Sequence, residues 1–236
     1  KHWLFSTFDV SQVLQQKQTI TQQNLIRVLS HELRNSLTPM SSMTDTLLSQ
    51  EQLNEKQARL VLSRINKRSE RLLAFISEYS KLAQLPQPKM QWFNLKDAIN
   101  EAKGMMDEKM CTIDFQGNDQ CFADINQIIQ VLINLFKNAQ ESIEHTEPRM
   151  ALHLQIKAYY QQNQQIIELY DNGPGFANLD NVLTPFYTTK QHGSGIGLSL
   201  CAEIIRNHGG QLIVENRHEN DDTTGAKVLM YWPTHQ

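Results

Sequence analysis

The sequence predicts an α + (α+β) chain: a long helical hairpin forming a dimeric four-helix bundle, then an α/β sandwich. Three observations predict it. A glycine-free stretch rich in leucine, glutamine and serine fills the first third. A proline pair in LPQP (85–88) stops it. Beyond that stop, short helical and strand-like patterns alternate to the end.

The first helix is expected over about 10–49, with Pro39 its only proline. Leu33, Leu37, Met40 and Leu47 recur at four-, three- and seven-residue steps, a seam for coiled-coil-like packing. At about 100° per residue, His31 falls ~160–180° from Leu33 and Met40, on the opposite and therefore solvent-facing side. Pro39 is expected to kink this helix. The second helix, over about 54–85, carries Val61, Ile65, Leu72, Phe75, Tyr79 and Leu82 at the same kind of spacing. A short turn at 50–52 joins the two into an αα-hairpin. Two helices cannot bury both seams, so the hairpin is expected to pair with a second copy through residues 10–85. A monomeric, solvent-exposed hairpin is the alternative.

Residues 86–89 read as a linker and 90–236 as the mixed domain. Helical patterns appear near 95–108, 124–145 and 195–208, and strand-like runs near 111–115, 151–160, 164–170, 211–215 and 226–232. Residues 177–194 show little periodicity and read as a mobile loop over a site. KHWLFSTFDV at 1–10 reads as a strand with no local partner, so 1–9 are expected to be the remnant of a preceding sensor or linker domain; native N-terminal processing is the other reading.

Composition narrows the chemistry. A net charge of -3 offers no concentrated basic face, which argues against nucleic acid as a partner. Three scattered cysteines, Cys111, Cys121 and Cys201, suit neither a disulfide framework nor a zinc site and read as structural thiols in a reducing compartment. No run approaches the ~20 apolar residues of a membrane helix.

Five segments carry chemistry. In SHELRN (30–35), His31 stands beside Glu32 and one helical turn from Asn35. An unperturbed imidazole, pKa about 6.5, is largely neutral at pH 7, so a ring nitrogen can attack phosphorus while Glu32 holds the other. In LINLFKNA (132–139) the amides of Asn134 and Asn138 share a face at i and i+4 and suit Mg²⁺, with Lys137 beside them as a point charge for phosphate. Alone, this pair also fits a solvated helix face. DNGPGF (171–176) puts Asp171 at a strand end, where it can accept from an exocyclic amino group, with Gly173 and Gly175 letting backbone approach a flat base; a plain strand-exit turn reads the same way. In TPFYTTK (184–190), Phe186 either anchors the loop or touches nucleotide, and Lys190 can reach a terminal phosphate. GSGIGLSL (193–200) supplies Gly193, Ser194, Gly195, Gly197 and Leu198 where a helix begins, a ready phosphate site. A Rossmann reading fails for want of a βαβ crossover, and no Walker loop is present.

In this order the five segments closely resemble those of sensor histidine kinases of two-component systems, over about residues 20–232; HELRNSLTP with TPFYTTK resembles the NtrB/NtrY-like branch. The resemblance implies a dimerisation and phosphotransfer hairpin, then an ATP-binding domain of the type shared by GyrB, Hsp90, histidine kinases and MutL. It implies His31 as phosphoacceptor, Glu32 as its acid/base partner and Asn35 as the residue that positions water for dephosphorylating a response regulator. Asn138 with Asn134 would hold Mg²⁺, Asp171 would read adenine, and Gly193–Gly197 would embrace the phosphates. The activity implied is autophosphorylation of His31 from ATP and transfer to an aspartate of a cognate response regulator. This chain would be the cytoplasmic portion of a protein held at the inner membrane by a missing N-terminal region. An ATP-gated dimeric clamp or scaffold is the competing function. One departure stands out: Ser36 occupies a position where many family members have proline.

Overall fold

The computed structural model describes residues 30, 33–49, 54–106, 111–144, 151–190, 193, 195–219 and 222–234; the side chains of 78, 79, 81–83, 218, 219 and 222–224 lie outside that description. The expectations for 1–29, including the strand at 1–10, for the acceptor pair His31 and Glu32, for the turn at 50–52 and for Ser194 fall outside it too. The chain divides into two compact units, Lys1–Ser77 and Glu78–Gln236.

Helix α1 occupies 33–48 and helix α2 spans Glu55–Ala83, the first unit taking α2 as far as Ser77. They meet where the Arg68 guanidinium donates to the Asn35 carbonyl and Ser69 Oγ lies 3.9 Å from Met40 Sδ. α1 runs through Pro39 without ending there. On α2 the half-buried residues Ala58, Val61, Ile65, Leu72 and Phe75 follow the expected seam. On α1 the seam is shifted: Leu33, Ser36, Met40, Met43 and Leu47 are half-buried, whereas Leu37 is 51% exposed. Met43 sits one helical turn beyond Met40, and the stripe through them leaves Leu37 off the contact line.

The second unit is a helix layer on a sheet. The five-stranded sheet has order β2-β4-β5-β7-β6, built from β2 (Cys111–Gly117), β4 (Leu152–Gln161), β5 (Gln164–Tyr170), β6 (Gln211–Glu219) and β7 (Asp222–Pro233). β2 pairs β4 in parallel; the other pairs are antiparallel. Alternation is the cause of its one-sided burial: Leu152, Leu154, Ile156 and Ala158 of β4 face the core with Ile167 and Leu169 of β5. Gln162 and Asn163, both at positive φ, turn β4 into β5. Helices α3 (Leu95–Lys103), α4 (Ile125–Ile143) and α5 (Gly197–Asn207) cover that face through Ile99, Val131, Leu132, Phe136, Ile204 and Ile205, among others. A separate antiparallel pair, β1 (Gln91–Asn94) with β3 (Gln120–Ala123), was not anticipated; each strand is only four residues long and shows no period. It is joined to the main sheet by Trp232 Nε1, which donates to the Phe122 carbonyl at 2.9 Å. Cys121 and Cys201 are buried free thiols, both pushed up to about 12 by burial, and Cys111 is half-buried, also raised by burial.

The segment 85–90 is held by the second unit. Gln127 Nε2 donates to the Pro86 carbonyl at 3.0 Å, Lys89 N–H donates to Asp124 Oδ2 at 2.8 Å, and Leu85 and Met90 pack against the core. Asp124 also caps α4, its Oδ1 accepting from the Asn126 and Gln127 N–H groups. Its own N–H donates to Nε2 of buried His208, whose Nδ1 faces the Ile204 carbonyl at 2.8 Å. Those two partners require a neutral ring protonated on Nδ1. Burial, opposed by the Ile204 carbonyl and the Asp124 charge, holds the His208 pKa below the ordinary value. The neutral form is favoured by folding, so this contribution to stability is complete above the unfolded pKa of about 6.5 and is lost as pH falls through it towards the depressed folded value. Thermal unfolding is therefore expected to show a midpoint that drops between pH 7 and pH 5.5. His208→Gln, costing about 1–3 kcal/mol at pH 7.5, should flatten that dependence. An unchanged pH slope in the variant would assign it to other groups.

Candidate active site

Asp171, at the exit of β5, is the fixed point of the site. It is 9% exposed, and its Oδ1 accepts from the backbone N–H groups of Gly173 and Ala226, both at 2.9 Å. Burial raises its pKa; those two N–H donors pull it back down. The surrounding segment is braced by two asparagines not identified as site residues from the sequence. Asn172 accepts from His153 N–H at 2.8 Å and donates to the Ala151 carbonyl at 2.9 Å. Asn216 on β6 accepts from Phe176 N–H at 2.7 Å and donates to the Phe176 carbonyl at 2.9 Å. Gly173 lies close under α4: a Cβ there would come 2.5 Å from Ser142 Oγ. Gly225, at φ +146°, sits where a Cβ would run into the Asp171 carbonyl. Glycine at 225 thus lets the Ala226 N–H beside it reach Asp171 Oδ1.

Asn134 and Asn138 are half-buried on α4 and face the start of α5, each about one van der Waals contact from where a Gly197 Cβ would stand, 3.8 Å from Asn134 Oδ1 and from Asn138 Nδ2. The bare solvated-face reading is thus set aside. Asn134 Nδ2 is buried without a hydrogen-bond partner, the neighbouring Cys201 sulfur being at most a weak acceptor. A polar group left in that state costs about 1–3 kcal/mol unless a ligand satisfies it. Lys190 reaches this corner: its Nζ donates to Glu141 Oε2 at 2.6 Å and to Asn138 Oδ1 at 3.5 Å. Lys137 lies outside it, 72% exposed, with Nζ 3.9 Å from Glu141 Oε1. Glu141, one turn beyond Lys137, gathers both lysines and was not singled out in the sequence.

The stretch 177–190 is a succession of turns, with Thr184 N–H donating to the Asn181 carbonyl and Tyr187 N–H to that of Thr184. Phe186 adopts φ +68°, donates its N–H to the Gly195 carbonyl at 2.8 Å and packs against the core. These contacts tie Phe186 to the loop and the core. Gly195, at φ +66°, allows the approach: a Cβ there would lie 2.5 Å from the Phe186 carbonyl carbon. Gly193 N–H donates to the Lys190 carbonyl at 3.3 Å, and Gly175 turns the DNGPGF segment at φ +78°. α5 begins at Gly197, next to the Asn134–Asn138 corner, with no side-chain hydrogen bond capping its start, so the positive end of its dipole lies at that corner. Leu198 packs against the core. Asn35 is exposed on α1. The structure therefore brings Asn134, Asn138, Lys190 and Gly197 together, and sets Gly173, whose N–H binds Asp171, against Ser142 one turn beyond Asn138 on α4.

Two families match the sequence. "His Kinase A (phospho-acceptor) domain" matches residues 21–88, and "Histidine kinase-, DNA gyrase B-, and HSP90-like ATPase" matches 123–236. Sensor protein kinase PilS of Pseudomonas aeruginosa is 28% identical over 230 residues, 93% of this chain and 43% of that protein. A putative sensor histidine kinase NtrY-like of Rickettsia bellii is 30% identical over 219 residues, 87% of this chain and 34% of that protein. The chain thus spans well under half the length of these relatives. Among solved structures, the catalytic domain of histidine kinase ThkA superposes with a TM-score of 0.51 at 28% identity, covering 61% of this chain and 95% of that one. Histidine kinase ThkA in complex with response regulator protein TrrA gives 0.63 at 23% identity over 94% of this chain and 64% of that one, which speaks for the fold. A phospho-acceptor domain followed by an ATPase domain of the gyrase B and HSP90 type, in one continuous order with the site just described, makes this chain a member of the sensor histidine kinases.

Proposed function

We propose that the chain is the catalytic core of an NtrY-like sensor histidine kinase that phosphorylates His31 from ATP and passes the phosphoryl group to an aspartate of a response regulator. The observation that carries the reading is the corner formed by Asn134, Asn138, Lys190 and the uncapped start of α5, beside the buried carboxylate of Asp171. Asp171 accepts from the adenine amino group, the α5 start and Lys190 receive the phosphates, and Phe186 with Gly195 shapes the loop that closes over them. Asn138 and Asn134 offer amide oxygens to a Mg²⁺ ion, whose charge would offset that of the triphosphate. Among the described residues no group of three or more His, Cys, Asp or Glu is placed to hold a metal, so amide and phosphate oxygens are the donor set available. A lone pair on the neutral His31 ring attacks the γ-phosphorus, its bond to the bridging oxygen breaks, and ADP leaves; Glu32 takes up charge or proton at the other ring nitrogen. In the second transfer the carboxylate of the regulator displaces the imidazole.

The helical unit works as a homodimer. No side chain described on α1 or α2 reaches full burial in a single chain, while Leu37, Leu48, Leu60, Leu62, Leu73 and Ile76 are exposed. A second copy of the same hairpin supplies the missing layers. No described helix is long and apolar enough to cross a membrane; this portion operates in the cytoplasm, where ATP and the regulator are, and the rest of the longer protein ties it to the inner membrane.

Phosphotransfer profiling tests the reading. Labelled ATP is expected to load the kinase, and one or a few receiver domains should then take the label within minutes. ATP binding with no label on the protein would overturn it in favour of an ATP-gated clamp. Asn35 orients the water that hydrolyses the regulator's acyl phosphate, so Asn35→Ala is expected to leave autophosphorylation within about threefold and slow dephosphorylation about 10–100-fold, as removal of a water-positioning group does. Equal loss of both activities would make Asn35 a structural residue.

A further inference from the structure

We propose that Arg68 on α2 is a positioning residue for Asn35, substituting for the backbone hydrogen bond that Pro39 deletes. The proposal rests on the reading of Asn35 as the residue that orients water. In an uninterrupted helix the N–H at position 39 would donate to the carbonyl at 35. Proline has no N–H, and its ring crowds that same carbonyl. α1 nevertheless continues from 33 to 48, and the Asn35 carbonyl accepts from Arg68 Nη2. The donor is charged, half-buried and anchored in α2 beside Ser69, whose hydroxyl lies 3.9 Å from Met40 Sδ on the next turn of α1. The turn that carries Asn35 thus takes a hydrogen bond from the neighbouring helix at the carbonyl whose intrahelical donor Pro39 removes. The azimuth of the Asn35 side chain follows from that turn, because Cα and Cβ move with the carbonyl they flank. Ser36 leaves Pro39 as the one proline of this turn and the next, so Pro39 and Arg68 together set its geometry.

A double-mutant cycle on the full chain decides the matter. Pro39→Ala restores an N–H that can satisfy the Asn35 carbonyl within α1, and makes Arg68 dispensable. The readouts are ATP affinity, autophosphorylation, and dephosphorylation of a receiver domain found by profiling and loaded with acetyl phosphate. With Pro39 present, Arg68→Ala is expected to slow dephosphorylation about 10-fold at unchanged ATP affinity, the scale of one lost charged hydrogen bond. Arg68→Lys should stay within about threefold, since an ammonium can still donate to a carbonyl. In the Pro39→Ala background Arg68→Ala should cost less than about twofold. The same cost in both backgrounds would overturn the proposal. Asn35→Ala is the control arm: if it leaves dephosphorylation unchanged, the reading of Asn35 fails instead. The contact is then scored on thermal unfolding. Arg68→Ala lowering the midpoint only when Pro39 is present supports it; equal lowering in both backgrounds overturns it.

Discussion

Replacing His31 by glutamine is expected to abolish the acid-labile, base-stable label that the protein acquires from γ-labelled ATP, with ATP affinity unchanged within about twofold. The chemistry leaves no substitute: an amide nitrogen has its lone pair delocalised into the carbonyl and is no nucleophile, whereas neutral imidazole presents one in the ring plane. Glutamine matches histidine in bulk and is a better helix former, so the helical unit should survive the change. Asp171, Asn134, Asn138 and Lys190 all belong to the second unit, whereas His31 belongs to the first. The expected loss therefore exceeds about a thousandfold, the scale on which removal of an attacking group is felt. Label retained at wild-type level in His31→Gln, and equally stable to base, would place the acceptor on another residue.

What the sequence made legible, and what it hid, divides along physical lines. β4 and β5 bury every second residue, so alternation alone located them. The segments proposed to bind nucleotide stood out because each carries residues with unusual conformational or ligand chemistry: Gly195 where φ is positive, Asp171 at a strand end, two asparagines one helical turn apart. β1 and β3 were not, since four residues with mixed burial carry no period and are held by cross-strand pairing from distant sequence. The same holds for contacts with no local signature. Glu141 collects Lys190 across 49 positions, and Asn216 clamps Phe176 across 40. The proline pair at 86–88 marked an end of helix correctly, but whether that segment swings or is fixed depended on Gln127 and Asp124, which look like ordinary polar residues of a helix start. Leu37 shows the limit of a seam drawn from leucines only: Met43 and Ser36 take the contact line, and leucine is left outside.

Asp171→Asn is expected to weaken ATP binding about 10–100-fold while leaving the second unit folded, and to shift its preference towards 6-oxo purine triphosphates. The fold should tolerate the change because Oδ1, which receives the Gly173 and Ala226 N–H groups, is retained as an amide oxygen. It should even relieve a cost. Burial raises the Asp171 pKa, so the ionised carboxylate is disfavoured in the nucleotide-free fold, and its contribution to stability is complete below the unfolded pKa near 3.8 and lost as pH rises through the raised folded value. A neutral amide carries no such penalty at pH 7. For ligand binding the signs reverse. In the proposed binding mode the adenine amino group donates and the carboxylate accepts. The amide Nδ2 brought in by the substitution would oppose donor to donor, leaving both unsatisfied in a desolvated site at the cost of about 1–3 kcal/mol. The carbonyl at C6 of inosine or guanosine triphosphate accepts, and would meet that Nδ2 favourably. Titration of wild type and variant with ATP and ITP by calorimetry reads both effects at once. ATP affinity in the wild type should also decline as pH falls through the raised Asp171 pKa, a dependence the variant lacks. Equal loss for ATP and ITP, with an unchanged unfolding midpoint, would mean that Asp171 braces the segment through Gly173 and Ala226 without reading the base.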